Sequence, residues 1–209
     1  MPRTSITPEE IITALQKTAR ELFLQNGIAA TEMKTIAAQS GLSRSTLYRH
    51  AFDKNQLAFL VVEQEMRTML EDCITFEPDS QLTGYEKLRC YCGMQLDIFE
   101  NSVPVLRLIN EFDSIYVGAY PDIAEARSYV VTIQRLLNRT VQLILNGMAD
   151  GSIQHIANPS LYAATLENTL FGLSLRFFPR EAHYAEEQHF AGRQVIEMAV
   201  NAILEKYKA

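Results

Sequence analysis

The chain has 209 residues, 47% of them hydrophobic and 21% charged, with a net charge of −6. This composition is typical of a globular protein and excludes the fibrous and disordered classes. No apolar run approaches the ~18 residues of a membrane-spanning helix, and the segment MPRTSITPEE lacks the apolar stretch of a secretory signal. We therefore expect a cytoplasmic protein that does not bind membranes.

The first predicted helix follows Thr7, because a capping residue there precedes Pro8 and two acidic residues. Its apolar stripe runs from Ile11 to Phe23, and Gly27 ends it. Helical periodicity of this kind continues through almost the whole chain, and no segment alternates as a strand does. The sequence therefore predicts an all-α fold.

The segment 31–57 predicts two short helices and the start of a longer one. We expect Thr31 to cap the first short helix, and Gly41 to follow it in a left-handed conformation. Ser43 is expected to cap the second short helix, and Asp53 the longer one. Two short helices joined by a glycine turn are the signature of a helix-turn-helix unit.

Further helical segments bring the predicted total to about nine helices. The six that follow the two short ones are expected at residues 53–72, 84–101, 103–117, 122–148, 158–178 and 185–206.

The three cysteines do not predict a metal site or a disulfide framework. Cys90 and Cys92 point to different sides of a helix and so cannot share a metal ion, and the odd count argues against disulfides. We interpret Cys73, Cys90 and Cys92 as buried thiols that pack as small hydrophobic groups. The sequence predicts no metal ion and no cofactor.

The start of the second short helix carries the residue types that read DNA bases in the major groove. Arg44 can donate two hydrogen bonds to a guanine, and Thr46 can offer a hydroxyl and a methyl group. Arg49 could equally be a solvated surface side chain, Tyr48 could pack internally, and His50 could merely end a helix. The candidate DNA-binding residues are Lys34, Ser43, Arg44, Ser45, Thr46, Tyr48, Arg49, His50 and Lys54.

The charge distribution agrees with a basic DNA-binding head on an acidic body. Residues 1–57 carry seven Lys and Arg against five Asp and Glu, whereas residues 58–209 carry twelve against twenty.

One spacing of residues is specific to a known family. It comprises Thr31, Ile36, Ala37, Gly41, Leu42, Ser43, Ser45, Thr46, Leu47, Tyr48, His50, Asp53, Lys54 and Leu57. This spacing resembles the signature of TetR-family (tetracycline-repressor-like) transcriptional regulators. The family usually has an aromatic residue directly after the histidine, whereas here Ala51 stands there and Phe52 follows.

The resemblance implies roles for eight residues of this segment. It places Leu42 and Leu47 in the core. It assigns base reading to Arg44, Ser45 and Thr46, and phosphate binding to Tyr48, His50 and Lys54.

The resemblance also implies a domain organisation. A three-helix DNA-binding domain would span residues 1–55, and a helical effector-binding and dimerisation domain would span residues 56–209. The family dimerises through its last two helices, where Ala163, Ala164, Gly172 and Ser174 would allow close approach; burial within one subunit explains the same small residues.

Polar residues embedded among apolar ones, together with a neighbouring aromatic residue, are the candidates for an effector site. Each polar side chain could instead be solvated or bonded internally. The candidates are Tyr91, Gln95, Asn110, Phe112, Asp113, Tyr116, Arg127 and Asn168. The expected function is a homodimeric repressor that a small-molecule effector releases from a palindromic double-stranded operator. The alternative is a DNA-binding protein of the same fold that a protein partner controls.

An enzyme is the competing class of function, and the sequence argues against it. The four histidines have no metal-ligand spacing. The chain also has no glycine-rich phosphate loop and no nucleophile elbow.

Overall fold

The computed structural model describes residues 7–43, 46 and 53–209, and these residues confirm the all-α prediction. They form nine α-helices and one 3-10 turn, Phe178–Arg180. The α-helices are α1 (Pro8–Asn26), α2 (Met33–Gln39), α3 (Lys54–Ile74), α4 (Gly84–Glu100), α5 (Val103–Ile115), α6 (Ala124–Ala149), α7 (Pro159–Phe177), α8 (Glu181–Gln188) and α9 (Gly192–Glu205). No described helix has both the length and the hydropathy needed to cross a membrane.

The chain packs into two compact units. One comprises Met1–Glu65 and Arg107–Tyr129, and the other Met66–Leu106 and Val130–Ala209. The divisions fall within α3, α5 and α6. The boundary between residues 55 and 56 stays a prediction.

Helix α1 has the ends that the sequence predicts. The Thr7 hydroxyl accepts the Glu10 N–H at 3.2 Å, and the Glu10 carboxylate accepts the Thr7 N–H at 2.7 Å, which is a capping box. At the other end Gly27 has a φ of +85°. Between them the apolar stripe from Ile11 to Phe23 is buried, and the helix packs on α2.

The capping prediction for Thr31 is wrong. The N-cap of α2 is Glu32, whose side chain makes no capping hydrogen bond. Thr31 is buried, and its hydroxyl instead donates to the Gly27 carbonyl at 2.7 Å. A hydroxyl that satisfies the end of α1 in this way does not cap the start of α2.

The other turn predictions in this region are confirmed. Gly41 has a φ of +71°. Ser43 Oγ accepts the Thr46 N–H at 3.1 Å, and the Asp53 carboxylate accepts the Gln56 N–H at 2.8 Å at the start of α3. Both side chains thus satisfy backbone donors where a helix is expected to begin.

The predicted helix over 185–206 is two helices in the structure. His189 has a left-handed φ of +61° after α8, and α9 begins at Gly192. The Glu181 carboxylate accepts the Gly192 N–H at 3.1 Å, and a Cβ on Gly192 would lie 2.7 Å from Phe177 Cβ. This close packing, which helical periodicity does not reveal, breaks the helix. The predicted hairpin of the C-terminal helices is present, because α9 packs on α7.

The prediction for the cysteines is wrong at one position. Cys73 and Cys92 are buried, whereas Cys90 is exposed on α4. Because Cys90 and Cys92 lie two residues apart on the helix, their side chains point to different sides, and that of Cys90 faces solvent.

Two glutamates anchor the elements of the first unit. The buried carboxylate of Glu65 accepts two hydrogen bonds from Arg20, at 2.5 and 3.0 Å. The Glu111 carboxylate accepts the backbone N–H groups of Ile28 and Ala29, both at 2.8 Å. Glu111 thereby ties the turn after α1 to α5.

The substitution Gly27→Ala tests this anchor, with Gly151→Ala as a matched control. Both glycines have positive φ, +85° and +79°, which costs a non-glycine residue about 1–3 kcal/mol. A Cβ at Gly27 would also lie 2.7 Å from Glu111 Oε2, whereas a Cβ at Gly151 would meet no atom within 4 Å. We expect Gly27→Ala to lower the free energy of unfolding by at least about 1 kcal/mol more than Gly151→Ala, because it displaces a charge-assisted hydrogen bond. Urea unfolding followed by circular dichroism measures both losses, and equal losses would contradict the anchoring role.

Candidate nucleic-acid interface and internal cavity

The predicted DNA-binding residues fall partly within the described structure. Lys34, Ser43, Thr46 and Lys54 are described. The predictions for Arg44, Ser45, Tyr48, Arg49 and His50 fall on residues outside the described ones.

Lys34 and Lys54 have different surroundings. Lys34 lies exposed on α2, where its ammonium pairs with the Glu32 carboxylate at 2.6 Å. Lys54 Nζ instead donates to the Ala29 carbonyl at 2.9 Å, at the same turn that Glu111 anchors. Lys54 therefore holds α3 to the turn after α1, and Lys34 is the more available of the two cations.

Ser43 and Thr46 form a local cap. Their hydroxyl oxygens lie 2.8 Å apart, and the Thr46 N–H donates to both the hydroxyl and the carbonyl of Ser43. The Ser43 side chain thus accepts a backbone N–H three residues along the chain, as an N-cap residue does.

The predicted effector residues do not form one group. Five of them lie in the first unit: Asn110, Phe112, Asp113, Tyr116 and Arg127. Phe112 and Tyr116 belong to an aromatic cluster around Phe59, with ring centroids 4.8 and 4.7 Å from its ring. The side chains of Asn110, Asp113 and Arg127 are exposed, and Arg127 pairs with Asp122.

The remaining predicted residues, Tyr91, Gln95 and Asn168, lie in the second unit. Tyr91 and Gln95 are fully buried on α4. Gln95 Nε2 donates to Glu167 Oε1 at 3.0 Å, and the buried hydroxyl of Thr140 donates to the same oxygen. Asn168 is exposed on α7, and its amide donates to the Ala164 carbonyl at 2.7 Å.

The sequence prediction missed Glu167, the centre of this buried polar cluster. Glu167 is only 8% exposed, and its Oε2 atom has no hydrogen-bond partner. A signal was present, because Glu167 is the one acidic residue of α7 and lies within the apolar stripe that includes Leu166 and Leu170.

A cavity of about 110 Å³ lies against Glu167. Its lining residues come from α3, α6 and α7 and are Met66, Leu70, Ile133, Leu136, Leu137, Ala164, Glu167, Asn168 and Phe171. Glu167 is the one ionisable residue among them.

Burial raises the pKa of the Glu167 carboxyl, and the hydrogen bonds from Thr140 and Gln95 partly oppose this rise. Burial together with the Glu167 charge raises the pKa of Cys73 to about 12 and also raises those of Tyr91 and Cys92. Burial thus raises the pKa of Glu167 and of each of these three buried neighbours.

The N-terminal segment is similar to known regulatory proteins. The family model described as bacterial regulatory proteins, tetR family, matches residues 15–61. A curated HTH-type transcriptional regulator from Staphylococcus aureus is 34% identical over 56 residues, which span 27% of this chain and 30% of that protein.

Solved structures extend the similarity over the whole fold. A TetR-family transcriptional regulator from Pectobacterium atrosepticum is 25% identical, with a TM-score of 0.67 over 97% of this chain and 100% of that one. One from Mesorhizobium loti is 19% identical, with a TM-score of 0.65 over 96% and 98%. The chain therefore has the fold of TetR-family regulators, and its residues 15–61 match the model of that family.

The described residues contain no group of three or more His, Cys, Asp or Glu side chains that could hold a metal ion.

Stability should respond to pH through Glu167. Its pKa is raised above the ordinary value of 4.5, so the folded protein keeps a proton that the unfolded chain loses, and stability falls as the pH rises above about 4.5. The substitution Glu167→Gln keeps the shape of the side chain and removes its titration. We therefore expect the melting temperature of the variant minus that of the wild type to increase from pH 4.5 to pH 8.

The control is Glu186→Gln, which removes one exposed carboxylate from α8. Calorimetry across the same pH range should show no comparable trend for it. A constant difference between Glu167→Gln and the wild type would contradict the assignment.

Proposed function

We propose that this protein is a DNA-binding transcriptional repressor that acts as a homodimer and that a small-molecule effector releases from a palindromic operator. The turn from α2 through Gly41 to the Ser43 cap carries the DNA-binding part of the proposal. It lies within the segment that matches the family model.

The chemistry of this turn supports insertion of the following helix into DNA. The major groove accommodates an α-helix and exposes a distinct pattern of donors and acceptors for each base pair. Residues at the start of the inserted helix contact the bases, and the free N–H groups there favour phosphate. Arg44 directly follows the Ser43 cap, and the exposed Lys34 on α2 is a candidate for the flanking backbone.

The substitution Arg44→Ala tests the DNA-binding assignment. We expect it to weaken specific binding by about 1–3 kcal/mol and to relax preference at one base position, because a bidentate contact to guanine is lost. The operator is first selected from a random DNA pool, and affinity is then measured by fluorescence anisotropy.

Arg127→Ala is the matched control, since Arg127 is an exposed arginine outside the helix-turn-helix segment and also carries one positive charge. Unchanged affinity and base preference in Arg44→Ala would refute the role of Arg44. An equal loss in both variants would reduce it to a general effect of charge.

Exposed apolar side chains support dimerisation through α7 and α9. Leu161 on α7 is 63% exposed and Met198 on α9 is 76% exposed. Of the small residues predicted to line this interface, Ala163 and Ser174 are fully buried within their own subunit, whereas Gly172 is exposed. Two copies that paired these faces would form a four-helix interface.

The double substitution Leu161→Glu with Met198→Glu should convert the dimer into a monomer. Charged side chains at the centre of an apolar interface would be buried without partners, which costs several kcal/mol. Light scattering coupled to size exclusion measures the mass. Val117→Glu is the control, because Val117 is 87% exposed and lies on neither helix. A double variant that stays dimeric places the interface elsewhere.

The cavity beside Glu167 supports a small-molecule effector. An effector shifts the protein between two arrangements only if it binds one of them better. Helix α3 is suited to transmit the shift, because its residue Lys54 contacts the turn after α1 and its residues Met66 and Leu70 line the cavity.

A further inference from the structure

We propose that the effector is a small organic cation, an apolar amine whose ammonium group pairs with Glu167 inside the cavity. This inference rests on the effector role proposed above and adds the chemical class of the ligand.

The unpaired oxygen of Glu167 favours a ligand that donates a hydrogen bond. Glu167 lines the cavity, and its Oε2 atom is buried and has no hydrogen-bond partner. An ionised carboxylate oxygen can only accept. Buried polar atoms without partners are rare in folded proteins. An ammonium group, which has three N–H donors and no acceptor, suits such an oxygen.

The carboxylate is already held in position for a cation. Gln95 and Thr140 both donate to its Oε1 atom, which orients the group and leaves Oε2 unpaired. Donors on one oxygen support the ionised form. A preorganised carboxylate needs little rearrangement when a ligand binds, and this lowers the cost of binding.

The rest of the cavity sets the character of the ligand. Aliphatic side chains from α3 and α6, with Phe171 and Ala164 from α7, form its wall, and none of the described residues that line it is Lys, Arg or His. An apolar cavity of about 150 Å³ is known to hold benzene, so 110 Å³ indicates a ligand smaller than benzene, such as an amine with a short alkyl chain. An aromatic wall residue adds a favourable surface for a cation.

Binding of the cation should be linked to ionisation of Glu167. Its titratable neighbours are Cys73 on α3 and Tyr91 and Cys92 on α4, and burial raises the pKa of each, so that they stay neutral. Glu167 is then the one group of this cluster that an ammonium can pair with. The ion pair offsets the cost of burying the carboxylate, which is severe for an unpaired charge.

The experiment measures binding of simple amines to the full chain without DNA. Ethylamine, propylamine, isobutylamine and butylamine are tested by thermal shift and calorimetry, with butan-1-ol as the neutral counterpart of butylamine. We expect at least one amine to stabilise the wild type and to bind at least tenfold more weakly to Glu167→Gln. Butan-1-ol should bind more weakly than butylamine to the wild type and should not distinguish the two proteins.

Two further variants locate the site. Ala164→Leu fills part of the cavity without touching the carboxylate and should also weaken amine binding, whereas the surface control Glu186→Gln should bind as the wild type does. The proposal is overturned if none of the amines binds, if Glu167→Gln or Ala164→Leu binds them as the wild type does, or if the alcohol binds as tightly as the amine.

A separate measurement distinguishes failure of this inference from failure of the proposed function. Anisotropy with the selected operator reports DNA binding with and without saturating amine. If DNA binds but no amine does, the cation assignment fails and the repressor assignment stands. If an amine binds at Glu167 and the operator complex persists at saturation, the site binds a cation but the proposed effector role fails.

Discussion

A carboxylate removed from water must be paired, hydrogen-bonded or protonated, and this constraint governs the described structure at three glutamates. Glu65 meets it with Arg20, whose guanidinium donates to both carboxylate oxygens. Glu111, which is only half-buried, meets it with two backbone N–H groups in the turn after α1. Glu167 meets it at one oxygen only. The first two glutamates are therefore structural anchors, whereas the third keeps one oxygen without a hydrogen-bond partner.

The contrast with Glu111 explains why Glu167 is the functional candidate. Both lie on long helices and both accept two hydrogen bonds, but those to Glu111 are divided between its two oxygens. Those to Glu167 converge on a single oxygen, so that the other faces the buried interior without a donor. A fold that needed Glu167 only for stability would be better served by glutamine or an apolar residue, because a half-satisfied buried charge costs stability.

Local signals in the sequence were sufficient for the helix ends. Thr7, Gly41 and Asp53 were predicted correctly because a cap or a left-handed turn depends on residues within three or four positions. Thr31 and His189 were not, because their conformations depend on contacts with the end of α1 and on the packing around Gly192. Such contacts follow from the tertiary structure and leave no trace in helical periodicity.

The candidate effector site shows the same division between local and tertiary information. From the sequence, Tyr91 and Gln95 could have been solvated or bonded internally, and both are buried. Spacing does not indicate which helix an inward face meets, and the partners of Gln95 proved to be on α7, 72 residues along the chain. Predicting Glu167 would have required weighing a single acid in an apolar stripe as a signal in itself.

Helix α3 gives the proposed mechanism its physical continuity. It is one helix from Lys54 to Ile74, and it contributes residues to both units. Its first residue, Lys54, contacts the turn after α1, and Met66 and Leu70, three and four turns later, line the cavity. A ligand that changed the packing of Met66 and Leu70 would act on the same helix whose Lys54 contacts that turn. Coupling through one helix requires no chain of side-chain contacts, only two positions of that helix, one of which the ligand prefers.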